Sequence, residues 1–192
     1  MEEQLRRERM RLFVNGVSTY EWGIFDADRS QIMLIPTDGG GVMVYDHYSD
    51  CVFQAYSPDS LGPAVDPHLS PTGDALAFVV SGDIYTVGIS AALGFLHDSR
   101  DGKKTNHPSF QPGSAVSLTA ATATATALVM EPTRITAFGG DPGISCGLAD
   151  FCALEEMDRT RGYWWAPDGR SIAFCLVDER MVPPYDILHQ GK

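Results

Sequence analysis

The sequence has no long apolar run and few basic residues, and each shortage excludes a class of protein. No apolar stretch approaches the roughly 18 residues that a membrane-spanning helix needs. The 14 lysines and arginines are outnumbered by 25 aspartates and glutamates, which gives a net charge of -11. Because neutralising phosphates requires a basic surface, this balance argues against a general nucleic-acid binder.

Zinc-type cysteine spacing is also absent, and no secretory leader is expected. None of the four cysteines forms the Cys-x2-Cys pair that is typical of zinc sites, so we interpret them as buried thiols in a reducing compartment. Residues 2–9 are highly charged where a signal peptide would become apolar. We therefore expect a cytoplasmic protein with no metal and no organic cofactor. The cysteines are Cys51, Cys146, Cys152 and Cys175.

What is present is the composition of a globular domain rich in short strands. The chain has 192 residues, of which 44% are hydrophobic, enough for one domain or part of a larger one. Residues 1–12 are predicted to form a charged N-terminal helix or arm, and residues 13–192 a β-rich domain. The predicted strands are Ser18–Trp22, Gln31–Ile35, Gly41–Tyr45, Val52–Tyr56, Ala75–Val80, Asp83–Val87, Gly162–Trp165, Ser171–Val177 and Tyr185–Leu188.

An internal repeat indicates the architecture. The segment Pro71–Phe78 matches Pro167–Phe174 at the proline, the glycine, an aliphatic residue, the alanine and the phenylalanine. In both copies a Pro-x-Gly type of turn leads into an apolar strand, and a second turn and strand follow. A hairpin repeated in this way is typical of the blades of a β-propeller.

The segment from about residue 90 to residue 133 interrupts this pattern. It contains Gly-Lys-Lys-Thr-Asn-His-Pro and then the alternating Thr and Ala run of residues 119–127. Side chains this small cannot build a core, so we interpret the segment as a low-complexity insertion or a flexible loop.

A nucleophile-elbow pattern occurs at Gly143-Ile-Ser-Cys-Gly147, and Asp178 and His189 follow it in the order that α/β-hydrolases use. An elbow, however, needs an apolar strand running directly into the turn, whereas glycines, an aspartate and a proline precede this one. Alternating strands and helices are also missing from the surrounding sequence. We therefore interpret the pattern as a glycine-rich loop and not as a catalytic site.

Helix-forming residues follow from Asp150 to Arg161, between Gly147 and Gly162, and include the adjacent glutamates Glu155 and Glu156. Adjacent glutamates on a short helix are most often solvated surface. Two carboxylates can also act together on a primary ammonium, because both accept charge-assisted hydrogen bonds from it and their field keeps the amine protonated.

The segment Gly147–Gly169 resembles the double-glutamate motif of the dipeptidyl peptidase IV family, which consists of prolyl-oligopeptidase-type serine peptidases. It reads Gly-Leu-Ala-Asp, then Glu-Glu-Met-Asp-Arg after four residues, then Gly-Tyr-Trp-Trp-Ala-Pro-Asp-Gly after two more. The start of the chain, Leu5–Arg11, is similar to the cytosolic members related to dipeptidyl peptidases eight and nine. Further segments similar to the propeller of that family are Asp66–Gly73, Gly82–Val87 and Ile135–Gly140.

The resemblance implies a role for named residues. In this family a propeller of about eight blades covers an α/β-hydrolase domain, and paired glutamates hold the free N-terminal ammonium of the substrate. A dipeptide is then removed after proline or alanine. By position in the motif, the ammonium-binding role falls on Glu155 and Glu156. Arg9 or Arg11 is the candidate for a substrate-orienting arginine, and the alternative for both is an exposed basic arm.

We expect an all-β fold, a partial β-propeller of about three blades, with a short inserted helix that carries the glutamates. The chain ends at Lys192, so the hydrolase domain and its catalytic residues are expected outside it, and this chain alone is predicted to be inactive. Its expected partners are peptides with a free N-terminus and the α/β-hydrolase domain of a parent enzyme. The alternative is a non-enzymatic propeller module that binds another protein.

Overall fold

The computed structural model describes residues 17, 19–25, 27–59, 61–102 and 130–183. These residues form mainly antiparallel strands in several sheets, with little helix. The predicted all-β fold and partial propeller are confirmed. The N-terminal arm of residues 1–12 lies outside the described residues, as does the predicted strand Tyr185–Leu188. In the described part of the chain, neither helix has the length and apolarity needed to cross a membrane.

The first sheet is a four-stranded meander in the order β1-β2-β3-β4. Its strands alternate buried and more exposed side chains, as Val42, Val44 and Asp46 show along β3, because successive side chains point to opposite faces. The first strand lies three residues later than the predicted Ser18–Trp22. The strands are β1 (Glu21–Phe25), β2 (Ser30–Pro36), β3 (Val42–Asp46) and β4 (Cys51–Tyr56).

The second sheet has the same order, β5-β6-β7-β8. Its strand β6 is buried on both faces, because Leu76 and Phe78 join the core shared with the first sheet and Ala77 and Val79 join a second core. The second sheet is therefore covered on both faces, as a blade is in a propeller. The strands are β5 (Val65–Leu69), β6 (Ala75–Val80), β7 (Asp83–Gly88) and β8 (Thr133–Arg134).

Strand β5 was missed by the sequence analysis. Pro67 lies within it and cannot donate a backbone hydrogen bond, which argues against a strand from sequence alone. The pairing of β5 with β6 accommodates the proline through a bulge between Val65 and His68, where Asp66 has a φ of 52°. The bulge keeps His68 in register with Ala77.

The predicted low-complexity segment begins differently from our expectation. Residues Ser90–Arg100 form helix α1, which packs Ala92 and Leu93 into the first core. The side chain of His97 then bridges two carboxylates of the first sheet and its turns, those of Asp28 and Asp46. This apolar and charged anchorage explains why the segment starts as a helix. The Thr and Ala run lies outside the described residues.

Hydrogen bonds to Asp83 hold the segment in which the chain returns to the second sheet. The buried Asp83 carboxylate accepts hydrogen bonds from Thr136 Oγ1 (2.7 Å), from the Phe138 amide (2.9 Å) and from the Arg134 guanidinium. Burial alone would raise the pKa of Asp83, but the hydrogen bonds, led by that from Thr136, lower it overall. The ionised carboxylate thus holds the returning segment against β7.

The third group of strands differs from a simple meander. Strand β9 pairs with β12, and β10 pairs with β11. Since a single residue, Cys175, separates β11 from β12, the strands β9 and β10 lie beside successive halves of one extended segment. The predicted strand Ser171–Val177 is therefore divided. The strands are β9 (Ile144–Cys146), β10 (Tyr163–Trp165), β11 (Ile172–Phe174) and β12 (Leu176–Asp178).

Candidate functional site

The double-glutamate segment, residues 148–161, leaves the third group of strands and rejoins it at nearly the same point. We call this segment the excursion. The Gly147 amide donates to the Cys175 carbonyl (2.9 Å), and the Cys175 amide donates to the Gly162 carbonyl (2.8 Å). An isolated antiparallel bridge joins Leu148 to Arg161. A Cβ on Gly162 would lie 2.3 Å from the Leu148 carbonyl carbon, so only glycine allows the two ends to approach this closely. The excursion thus has a narrow, fixed base.

Helix α2 (Phe151–Glu156) forms the first part of the excursion. It is shorter than the predicted helix from Asp150 to Arg161, because Met157 caps it and Asp158 has a φ of 53°. Asp150 is the N-cap, and its Oδ1 accepts from the Ala153 amide (2.9 Å). Its other oxygen accepts from Arg159 (3.2 Å), whose guanidinium also donates to the Arg161 carbonyl (2.9 Å). Arg159 therefore ties the start of the helix to the returning strand.

We expect Asp150→Ala to loosen α2 more than Asp150→Asn. Alanine removes both the cap and the pairing with Arg159, which together contribute about 1–2 kcal/mol, whereas asparagine keeps a capping oxygen. Hydrogen exchange of the α2 amides measures the difference. Equal protection in the two variants would show that the cap does not hold the helix.

Glu155 and Glu156 lie at the end of α2, and both side chains are exposed. Among the described residues, neither carboxylate is engaged in an ion pair or a hydrogen bond with another side chain. Two adjacent, solvent-facing carboxylates on a braced helix are available to a cationic ligand. The other predicted site residues, Arg9 and Arg11, lie outside the described residues, so their role stays a prediction.

The nucleophile-elbow pattern is a strand, and the interpretation as a glycine-rich loop was wrong for Ile144–Cys146. Ser145 lies in the middle of β9 and pairs with Val177 of β12. The Asp178 carboxylate accepts two hydrogen bonds from the Arg180 guanidinium (2.7 and 2.8 Å) and one from the Arg180 amide (3.1 Å), and these lower the pKa of Asp178 to about 2. An elbow holds its serine on a sharp turn between a strand and a helix. Ser145 has no such geometry.

The four cysteines are free, and Cys146 is fully buried as predicted. The prediction of buried thiols was wrong for Cys152, which is exposed on α2, whereas Cys51 and Cys175 are half-buried. Cys152 lies on the outward side of a surface helix whose buried position is Ala153. Within the described ranges, no group of three or more His, Cys, Asp or Glu side chains has the arrangement of a metal site.

A cavity of about 300 Å³ lies beside this excursion and was not anticipated from the sequence. It is bordered by three strands from three different sheets: β1, the end of β5 and β10. The charged groups in its wall are Glu21, His68 and Arg161. The indole rings of Trp22, Trp164 and Trp165 also line it. The sequence features that lie here are Tyr-Trp-Trp and Asp-Pro-His, which resemble family segments; we expected the three aromatic residues to pack a strand between blades.

His68 connects the sheets around this cavity. Its Nδ1 lies 2.7 Å from Glu21 Oε2 of β1, and its Nε2 lies 3.3 Å from Asp66 Oδ1. Arg161 Nη2 lies 2.9 Å from the same Nδ1, and the Tyr163 ring meets the imidazole edge-on at 5.7 Å. Burial lowers the pKa of His68, but interactions with the negatively charged carboxylates of Asp66 and Glu21 outweigh burial, so the pKa is raised.

The raised pKa of His68 predicts a specific pH dependence of stability. The groups that face it are Glu21, Asp66, Arg161 and Tyr163. Because the folded pKa exceeds the unfolded value of about 6.5, the stabilisation is fully present below that pH. It is lost as the pH rises through the folded pKa.

Urea unfolding of the wild type and of His68→Gln across this range measures the effect. The free-energy difference between them should shrink as the pH rises. The matched control is His47→Gln, which makes the same replacement at an exposed histidine on the turn after β3. A His68→Gln difference that grows with pH would contradict the prediction.

A comparison with known protein families matches the part of the chain that contains Glu155 and Glu156. Residues 125–192 match the family described as dipeptidyl peptidase IV (DPP IV) N-terminal region. The match covers about a third of the chain. The resemblance drawn from the double-glutamate motif is thereby confirmed at the level of that family's N-terminal region, and Glu155 and Glu156 lie inside the matching segment.

Two curated relatives match a stretch of 51 residues of this chain. Inactive dipeptidyl peptidase 10 of Mus musculus is 35% identical over 51 residues, which is 26% of this chain and 6% of the relative. The Rattus norvegicus protein of the same name is 33% identical over 51 residues, with the same coverage. The aligned stretch thus spans a small part of each relative. Likeness to the cytosolic members stays a prediction.

Proposed function

We propose that this propeller segment anchors the free N-terminal ammonium of peptides through Glu155 and Glu156. The observation that carries the proposal is the pair itself: two adjacent exposed carboxylates at the end of a helix, inside the segment that matches the dipeptidyl peptidase IV N-terminal region. A peptide ammonium has three donors and one positive charge. Two carboxylates can share those donors in charge-assisted hydrogen bonds.

The fixed base of the excursion supports this function. The bonds of Gly147 and Gly162 to Cys175 and the brace by Arg159 restrict where α2 can lie. A binding group held in place before the ligand arrives loses less conformational entropy on binding. In a dipeptidyl peptidase such an anchor would set the distance from the peptide N-terminus to the cleaved bond, and an α/β-hydrolase domain would perform the cleavage. Peptides with proline or alanine in second position are the proposed ligands.

A titration of the 192-residue chain tests the proposal. An Ala-Pro-Ala peptide with a free N-terminus should shift the backbone amide NMR signals of α2, because the ammonium contacts the glutamates at its end. The N-acetylated peptide, which lacks the charge, should leave them unchanged. Equal shifts from both peptides would show that the glutamates do not recognise the ammonium.

A second function is favoured by the comparisons themselves. Both curated relatives are named as inactive dipeptidyl peptidases, so a sequence similar to part of this chain occurs in proteins that are named inactive. Here the chain would be a non-enzymatic module that binds another protein, and the glutamates would be ordinary surface residues. On this alternative, the free and acetylated peptides would behave alike.

A further inference from the structure

The cavity between β1, β5 and β10 contains every tryptophan of the chain. The sequence has three tryptophans, and Trp22, Trp164 and Trp165 all line this one cavity. Two of them are unusually accessible, since Trp22 is 52% exposed and Trp164 is 40% exposed. Covering a water-exposed indole face with a flat apolar group is favourable, because it removes apolar surface from water. The walls therefore favour an aromatic or similarly flat ligand body.

Arg161 forms no ion pair with a carboxylate among the described residues. His68 Nδ1 is within hydrogen-bond distance of both Glu21 Oε2 (2.7 Å) and Arg161 Nη2 (2.9 Å). A ring nitrogen that carries a proton donates to the carboxylate and cannot also accept from the guanidinium. The raised pKa of His68 favours that protonated form. Among the described residues, no carboxylate forms an ion pair with Arg161, so its donors remain available to a ligand in the cavity.

We propose that this cavity binds a carboxylate joined to an aromatic or other flat apolar body, with the carboxylate on Arg161 and the body against the tryptophans. A guanidinium presents two parallel donors that match the two oxygens of a carboxylate. A phosphate dianion fits less well, because Glu21 lies beside Arg161 and His68 and repels a second negative charge. The proposal depends on the cavity alone and does not rest on the role of Glu155 and Glu156.

Intrinsic fluorescence tests the proposal directly, since all three tryptophans report on this cavity. N-acetyl-L-phenylalanine, which has the carboxylate and the ring, should change the emission of the 192-residue chain with saturation. N-acetyl-L-phenylalanine amide has the same ring without the charge and should bind about tenfold more weakly, as loss of a charge-assisted hydrogen bond implies. Acetate, which lacks the body, should bind more weakly than the acid. Equal binding of acid and amide, or no saturable change with the acid, would overturn the proposal.

Two variants locate the site. Arg161→Gln should reduce the affinity for the acid about tenfold and leave that for the amide unchanged. The matched control is Arg170→Gln, an exposed arginine of the turn after β10 that does not line the cavity, and it should bind the acid as the wild type does. A peptide ending in phenylalanine distinguishes a peptide C-terminus from a free aromatic acid as the source of the ligand. An Arg161→Gln protein that keeps the preference for the acid would place the carboxylate elsewhere.

Discussion

Tyr163→Ala is expected to lower the free energy of unfolding by about 3–5 kcal/mol, the range typical of truncating a buried aromatic side chain. Tyr163 is fully buried in the core between the second and third groups of strands, with Val79, Ile84 and Cys146. Its hydroxyl lies 2.7 Å from the Asp66 carbonyl and 2.6 Å from the Ala77 carbonyl, both in the second sheet. The residue therefore joins the two groups by packing and by hydrogen bonding.

Two controls separate these contributions. Tyr163→Phe keeps the ring but leaves buried carbonyls without the hydroxyl donor, so its loss should be smaller, about 1–3 kcal/mol. Trp164→Ala removes a neighbouring aromatic that is 40% exposed and should cost less than about 1 kcal/mol. Urea unfolding followed by far-UV circular dichroism measures all three without relying on tryptophan. If Tyr163→Ala and Trp164→Ala cost the same, the core described here does not hold the groups together.

The strands that could be predicted from the sequence are those with clear alternation and clear turns. Ala75–Val80 was predicted with the bounds that the structure has, because a Pro-x-Gly turn and a run of apolar residues mark it. Strand β5 was not predicted, since Pro67 and a bulge hide its pattern, and β8 has only two residues. Helix α1 was missed because its anchor is tertiary: His97 reaches Asp28 and Asp46, which lie far from it in the sequence.

The same distinction applies to the candidate site, of which one part could be predicted from the sequence and another could not. The glutamate pair could be found from the sequence, because adjacent carboxylates and the residues after them form one continuous motif. The cavity could not be found, because Glu21, His68 and Arg161 come from three separate parts of the chain and meet only when the sheets pack. A short motif carries its own information, whereas a site between sheets depends on strand order and register.

The remaining large effect concerns Glu155 and Glu156 in an enzyme formed by joining this propeller to an active α/β-hydrolase domain. We expect Glu155→Gln and Glu156→Gln each to weaken transition-state binding of a free-amine substrate by about 2–5 kcal/mol, because the ammonium would lose a charged partner. That corresponds to a decrease in kcat/KM of tens-fold to thousands-fold. Peptides blocked by acetylation never make the contact, so their slow cleavage should be unchanged. The measured quantity is the ratio of kcat/KM for free and for acetylated Gly-Pro substrates.

Two further substitutions make this result specific. Glu179→Gln removes a different exposed glutamate, which follows β12, and should leave the ratio at its wild-type value. Ser145→Ala should leave hydrolysis intact, because Ser145 pairs with Val177 inside a strand and has no elbow geometry. If Glu179→Gln lowers the ratio as much as Glu156→Gln does, the effect is one of overall charge and not of a binding pair. If Ser145→Ala abolishes hydrolysis, the nucleophile lies in this chain and the division of roles between propeller and hydrolase domain is wrong.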